Sequence, residues 1–280
     1  MKNIFKVIIV ILTFAIFFST VDSVYSQTIN SLEALEEYLD KQPANSHENP
    51  IKISMNINDD MVIGISGVIH FSGKYVSLDL SRSTGLTSIE DFRCIGLTSV
   101  TIPNSVNGIY GTSFDYCPSL TEINVDAGNS SYTSENGVLY NKNKTTLIKY
   151  PSGKKGSFAV PNSVTSIYGY AFRSCTGLTS VTFPNSITRI EQDTFAGCTS
   201  LASVTIPSSV KSISFNAFSR CDSLTRVTFQ GTMPGYMGVV NAVPGQFGFS
   251  NFPGDLDAKY YAGGMGTYTR QSGSNTWTKQ

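Results

Sequence analysis

A 23-residue period governs this chain. Leu97 opens LTSVTIPNSVNGIYGTSFDYCPS, Leu178 opens LTSVTFPNSITRIEQDTFAGCTS and Leu201 opens LASVTIPSSVKSISFNAFSRCDS; each unit has 23 residues and the last two are contiguous. A further copy, FAVPNSVTSIYGYAFRSCTG, runs from Phe158 to Gly177 without the leading leucine triplet. A degraded copy, YVSLDLSRSTGLTSIEDFRCIG, covers 75–96, and Leu224 opens a final half-unit, LTRVTF. Such a period restricts the chain to a solenoid. One unit cannot bury its own apolar row, whereas stacked units bury each other's rows continuously.

Each unit carries its own folding instructions. Leu201, Val204 and Ile206 place apolar side chains on the inward face of a short strand. Pro207 ends the pairing because it has no N–H to donate. Val210 and Ile213 turn inward on the next side, Phe218 fills the far corner, and Cys221 follows three residues later.

All five cysteines obey this template. Cys117, Cys175, Cys198 and Cys221 each lie three residues after the repeat phenylalanine (Phe114, Phe172, Phe195, Phe218), and Cys94 lies two after Phe92. A column with one thiol per coil is poor geometry for a metal, which needs ligands converging on one point. Adjacent rungs, at about 4.8 Å, are close enough for a bridge, but parallel side chains do not favour it and five cannot all pair. The expectation is a column of small buried apolar side chains, with Cys198 packed beside Phe195.

The repeat is interrupted between Leu120 and Phe158. In DAGNSSYTSENGVLYNKNKTTLIKYPSGKKGSF, residues 137–140 and 146–150 read as two strands around a polar turn at 141–144. The units LTSVTIPNSV and TSIYGYAF, with F-x-x-C, resemble the leucine-rich repeats of BspA-type surface proteins over roughly residues 75–230, and the GVLY…TLIKYP insertion is similar to the expanded unit of that family. The last stretch, FPGDLDAKYYAGGMGTYTRQSGSNTWTKQ, is similar to the ending of spirochaete, treponeme-like members. The resemblance implies a secreted or cell-surface protein that binds host or bacterial surface proteins, often host matrix components, or mediates aggregation. The expected fold is an α+β repeat solenoid, a right-handed leucine-rich repeat coil of 23-residue units over 75–230, with the expanded hairpin unit at 120–157.

Solenoid ends expose apolar edges and need covers. Residues 27–74 supply the first: Asn30 with Glu33 reads as a capping box before LEALEEYLDKQ, whose Leu32, Leu35, Tyr38 and Leu39 share one helical face. Pro43 stops that region, and Ile51, Ile53, Met55 and Ile57 alternate as in a half-buried strand. Residues 231–280 supply the second, with a helix at 255–262 ended by Gly263 and Gly264, a hairpin of GTYTR and TWTKQ, and Trp277 as a covering residue. Ahead of these, Lys2 and Lys6 precede an apolar run at 7–18, too short for a span of about 20 residues. Residues 1–26 read as a secretory signal peptide, and no integral membrane segment is expected after its removal.

Charge excludes several functions. Beyond residue 26 the chain carries 18 basic and 19 acidic residues, which leaves no basic field for nucleic acid. His47 and His70 are the only histidines, and no metalloprotease, nucleophile-elbow or phosphate-loop pattern occurs. Acid pairs such as Asp59-Asp60 read as solvated surface groups, and DAGN at 126–129 as a turn. The chain is therefore expected to be no enzyme and to use no cofactor.

What remains is the outward face of the stacked strands. Ser99 and Thr101, Glu122 and Asn124, Ser180 and Thr182, Ser203 and Thr205, and Arg226 and Thr228 lie between buried positions and should form a flat, hydroxyl-rich binding face. The lysines around the insertion, Lys142, Lys144, Lys149, Lys154 and Lys155, form a second candidate able to steer an acidic partner. The competing reading is a structural, envelope-associated spacer with no specific ligand.

Overall fold

The protein was described from a computed structural model that covers Ile29, residues 31–232 and residues 252–280. The signal peptide read at 1–26, Asn30 of the expected capping box and the start of the C-terminal cover beyond residue 232 lie outside the described residues.

The chain enters through helix α1 (Leu32–Asp40), which buries Leu35 and Leu39. Its N-cap is Ser31, not Asn30: Ser31 Oγ accepts from the Ala34 N–H at 3.1 Å. This satisfies one of the first-turn donors that the helix leaves open. Strand β1 (Ile51–Ser54) follows, then a 3-10 turn at Asp59–Met61 and helix α2 (Val62–Ser72), which buries Val62, Ile65 and Ile69 and ends on left-handed Gly73. The sequence reading missed α2, because apolar residues occur on every side of VIGISGVIHFS and no face stands out.

The coils then repeat. The first places strand β2 (Val76–Asp79), strand β3 (Ser88–Ile89) and Phe92 on successive sides, and the second repeats this with β4 (Leu97–Ile102), β5 (Gly108–Ile109) and Phe114. The third begins with β6 (Glu122–Val125), inserts β7 (Tyr132–Glu135) and β8 (Val138–Asn141), and reaches the second side with β9 (Thr146–Lys149) before Tyr150. Regular coils resume with β10 (Gly156–Ala159), β11 (Ser166–Ile167) and Phe172; β12 (Leu178–Thr182), β13 (Arg189–Ile190) and Phe195; and β14 (Ser203–Ile206), β15 (Ser212–Ile213) and Phe218. The last half-unit is β16 (Arg226–Phe229), followed by helix α3 (Leu256–Gly263) and the antiparallel pair β17 (Gly266–Thr269) and β18 (Thr278–Lys279). This is a β-solenoid of about eight turns.

The first-side strands do not make one ladder. They pair in parallel as β1-β2-β4-β6 and again as β10-β12-β14-β16, with β17 and β18 added antiparallel to the second set. The break is the expanded unit. Edge strand β6 receives the hairpin turn instead of β10, since the Ile123 N–H donates to Gly137 O at 2.9 Å. Strands β7, β8, β9 and β11 form their own four-stranded sheet.

That sheet is a wall with both faces buried. Tyr132, Leu139 and Ile148 pack into the N-terminal apolar cluster, while Val138, Tyr140 and Leu147 pack into the C-terminal one. A strand buried on both faces loses the alternating pattern of a half-exposed one, which is why VLY and TLIKY read as continuous apolar runs.

Aromatic rings continue through the C-terminal core. Tyr150, Phe172, Phe195, Phe218 and Phe252 stack successively with centroids 5.0, 4.8, 5.1 and 4.7 Å apart. Tyr150 thus takes the repeat-phenylalanine position in the expanded unit, and Phe252 carries the stack into the C-terminal cover. Such pairs add about 0.5–1.5 kcal/mol beyond the area they bury. The cover is closed by Trp277, whose Nε1–H donates to Pro253 O at 2.8 Å and whose N–H donates to Asp255 Oδ1 at 2.7 Å. Asp255 is also the N-cap of α3.

Candidate protein-binding surface

Strand alternation sends one set of side chains inward and leaves the other for the solvent. In the N-terminal ladder, Ser77, Ser99 and Glu122 share one row, and Asp79, Thr101 and Asn124 the next. Ser77 Oγ and Ser99 Oγ are hydrogen-bonded at 2.6 Å, so part of this row is spent on itself. In the C-terminal ladder, Ser180, Ser203, Arg226 and Thr269 lie in register, with Thr182 at the end of β12 and Thr205, Thr228 and Thr267 aligned beside it. Thr228 Oγ1 and Thr267 Oγ1 bond at 3.0 Å, which ties the face to the C-terminal cover. Thr182, Thr205, Glu122 and Arg226 are exposed; Ser99, Thr101, Asn124, Ser180, Ser203 and Thr228 are half-buried. The structure therefore brings six of the ten onto one ladder and four onto the other, rather than all onto a single continuous sheet.

The lysine candidate needs correction. Lys149 is not part of an exposed basic patch. Its side chain is 1% exposed, and Nζ bonds Asp115 Oδ1 at 2.7 Å, Gly111 O at 2.8 Å and Tyr170 O at 3.1 Å. Arg173 Nη1 meets the other carboxylate oxygen at 3.2 Å. A buried ammonium needs such a full set of partners. Elsewhere Lys144 pairs with Glu135 at 3.1 Å, Lys142 Nζ binds Asn129 O, and Lys154 Nζ binds Asn136 O. Each of these three lysines is fastened to an acceptor of the expanded unit.

Gly111 and Gly169 explain why Lys149 is needed. Four residues separate Ile109 from Phe114 and Ile167 from Phe172, but only two separate Leu147 from Tyr150. The expanded unit cuts this corner. The coils above and below meet there directly: a Cβ on Gly111 would overlap the carbonyl oxygen of Gly169. Lys149 bridges the two coils by binding a carbonyl from each.

The cysteine column is buried throughout and all five thiols are free. Each Sγ from the second coil onward donates to the carbonyl of the aromatic one coil earlier: Cys117 to Phe92 at 2.9 Å, Cys175 to Tyr150 at 3.8 Å, Cys198 to Phe172 at 3.1 Å and Cys221 to Phe195 at 3.2 Å. Burial pushes Cys94 up to about 11 and Cys117 and Cys221 up to about 12, and holds Cys198 far above its ordinary range. A thiol that resists ionising is neither a nucleophile nor a metal ligand.

At 126–129 the turn is fully spent. Asn129 donates to Pro103 O and Val106 O and accepts from the Ser131 and Tyr132 N–H groups. Among the described residues, no cluster of three or more His, Cys, Asp or Glu could hold a metal ion, and no helix is long and apolar enough to cross a membrane.

Four tyrosines at the shortened corner have no place in the sequence reading: Tyr116 and Tyr170, which meet Arg93 and Arg173, and Tyr110 and Tyr168, which precede the touching Gly111 and Gly169. Their signal was departure from the template. Tyr116 stands where the next regular units have Ser174, Gly197 and Arg220, and Tyr168 where they have Glu191 and Ser214.

A profile of the BspA type leucine-rich repeat region matches residues 71–159 and 150–235 in six copies. The chain belongs to the BspA-type leucine-rich repeat family. Among solved structures, the BspA-type chain is similar to the pneumococcal vaccine antigen PcpA, at 22% identity and a TM-score of 0.52, over 68% of this chain and 54% of that one. It spans about half the length of that relative. A leucine-rich cell surface protein of Faecalibacterium prausnitzii matches at 21% identity and a TM-score of 0.41, covering 72% and 76% of the two chains. A leucine-rich repeat protein of T. pallidum matches at 22% and 0.30, covering 68% and 84%. The likeness to PcpA is one of fold. No functionally curated protein sequence matches the chain.

Proposed function

We propose that this BspA-type protein is exported and acts without catalysis as a protein-binding module at the bacterial surface, in adhesion to host matrix or between cells. The observation that carries this reading is the pair of parallel ladders, which hold hydroxyl-rich outward rows in fixed register. Solenoids use such extended faces for binding because the stacked coils keep the rows rigid. Export is supported by the charged, apolar start of the sequence, and the surface location by the family.

The test is capture of purified host matrix proteins by immobilised residues 27–280. Changing Thr101, Thr182 and Thr205 together to glutamate should weaken capture while leaving the thermal midpoint unchanged. Equal capture by both versions removes the strand face as the binding site. Failure to capture any protein of the panel supports the alternative, an envelope-associated spacer.

A further inference from the structure

We propose that Tyr116 and Tyr170, interleaved with Arg93 and Arg173, form with the neighbouring Tyr110 and Tyr168 a docking site for an acidic segment of a partner polypeptide. This rests on the reading that the protein binds other proteins, and it names a surface separate from the strand rows.

The core does not use three of these side chains. Tyr110, Tyr116 and Tyr168 are 56%, 56% and 43% exposed. Tyr116 and Tyr170 also sit on left-handed backbone, with φ of 59° and 65°. A bulky residue there is strained. Gly197 occupies the Tyr116 position two units later at φ 77°, so glycine meets the backbone requirement without an aromatic ring. The same left-handed position carries Ser174 and Arg220 in other coils, so the backbone there does not call for an aromatic ring.

The cluster is assembled by the shortened corner. Tyr110 and Tyr168 are 58 residues apart in sequence, yet their following glycines, Gly111 and Gly169, touch. Tyr116 and Tyr170 are held in a ladder with the two arginines. The Arg93 guanidinium lies 5.2 Å from the Tyr116 ring centroid, and that of Arg173 lies 5.9 Å from the same ring and 5.4 Å from Tyr170. Arg173 is tethered by Asp115, Arg93 by Asp91 at 2.7 Å, and Tyr170 Oη accepts from Gln192 Nε2 at 2.7 Å. Rigid tyrosines beside arginines are the composition of energetic centres in protein interfaces, because two-rotor side chains lose little entropy on docking.

The unused donors select the partner. Arg93 spends only Nε and Arg173 only Nη1 on protein acceptors among the described residues. A guanidinium has five N–H donors. The phenol groups of Tyr110, Tyr116 and Tyr168 hold no hydrogen bond among the described residues. Free guanidinium edges and phenols framed by aromatic surface fit carboxylate side chains through charge-assisted hydrogen bonds.

The test pans a displayed random-peptide library on immobilised residues 27–280 and measures the recovered peptides in solution. Peptides enriched in Asp and Glu are expected, with affinity at least tenfold lower for Tyr168→Ala, Arg93→Ala and Tyr116→Gly. The last variant guards against misfolding because it supplies the residue that the template accepts. Thr182→Glu should bind these peptides like the parent, and poly-L-glutamate should compete. Peptides without acidic enrichment, or ones that bind the tyrosine and arginine variants unchanged, would overturn the proposal. Competition by polygalacturonate with none by poly-L-glutamate would overturn it in favour of an acidic glycan. Failure to capture matrix proteins while acidic peptides still bind counts against the adhesion reading alone.

Discussion

Lys149 Nζ lies 2.7 Å from Asp115 Oδ1, and both side chains are sealed from water, at 1% and 4% exposure. The pair spans the corner that the expanded unit leaves short. Asp115→Ala strands the Lys149 ammonium and should cost about 3–5 kcal/mol in urea unfolding. Combining Asp115→Leu with Lys149→Met should recover part of that loss, because the sealed ammonium is gone and Arg173, which also loses Asp115, is 33% exposed and can turn to solvent. The recovery should be incomplete, since Gly111 O and Tyr170 O lose their shared donor.

The buried thiols make stability fall in alkali. Cys94, Cys117 and Cys221 keep their protons to about 11, 12 and 12 in the folded chain, against an ordinary value of 9.0. The unfolded chain therefore loses these protons first as pH rises. Their contribution is complete below about pH 9 and is lost as pH climbs through the folded values. The thermal midpoint should drop between pH 9 and 11, and Cys117→Ala should flatten the drop although it lowers stability at pH 7. Native alkylation of all five cysteines should be slow and become fast only in denaturant.

Gly111→Ala should be among the most damaging small substitutions in the protein, because the added Cβ runs into the rigid Gly169 carbonyl. A loss of about 2–4 kcal/mol is expected, as for other overpacked sites where backbone must move. Gly67→Ala, in α2 with open space around its Cβ, provides the control. There the better helix former should stabilise by about 0.5–1 kcal/mol. Chemical denaturation of the two variants separates the cases.

Arg220 carries φ 57° at the position where Gly197 carries 77°. Arg220→Gly should relieve a left-handed cost of about 1–2 kcal/mol while adding chain entropy worth about 0.5–1 kcal/mol. A net gain below about 1 kcal/mol is expected, read as a small rise in thermal midpoint. A loss would mean that the arginine makes contacts that outweigh the strain.

The coil architecture was legible because the template repeats every physical decision. Leu201, Val204, Ile206, Val210, Ile213, Phe218 and Cys221 are buried as their spacing requires, and the cysteine column packs beside the aromatics. Helix α2 was illegible because exposed Ile63 and Phe71 lie off its buried face and mask the periodicity, and β7 because YTSE carries little apolar signal. The candidate strand rows could be named from alternation alone. Their division into two ladders could not, because it depends on β6 receiving Gly137 instead of β10. Lys149 was misplaced for a related reason: a lysine between apolar residues looks like a solvated charge until Asp115, 34 residues earlier, is seen to face it.

By itself, the sequence determined the solenoid, its period, the inward and outward residues of each regular coil and the alignment of its cysteines in one column. Those properties follow from short-range spacing, repeated often enough that neighbouring coils must reproduce one another. Only the tertiary structure decided where the stack is interrupted, how the shortened corner is stapled by Lys149 and which tyrosines meet beside Arg93 and Arg173. Those depend on contacts between residues 58 positions apart, Gly111 and Gly169 foremost, and no local pattern encodes how closely two backbones will approach.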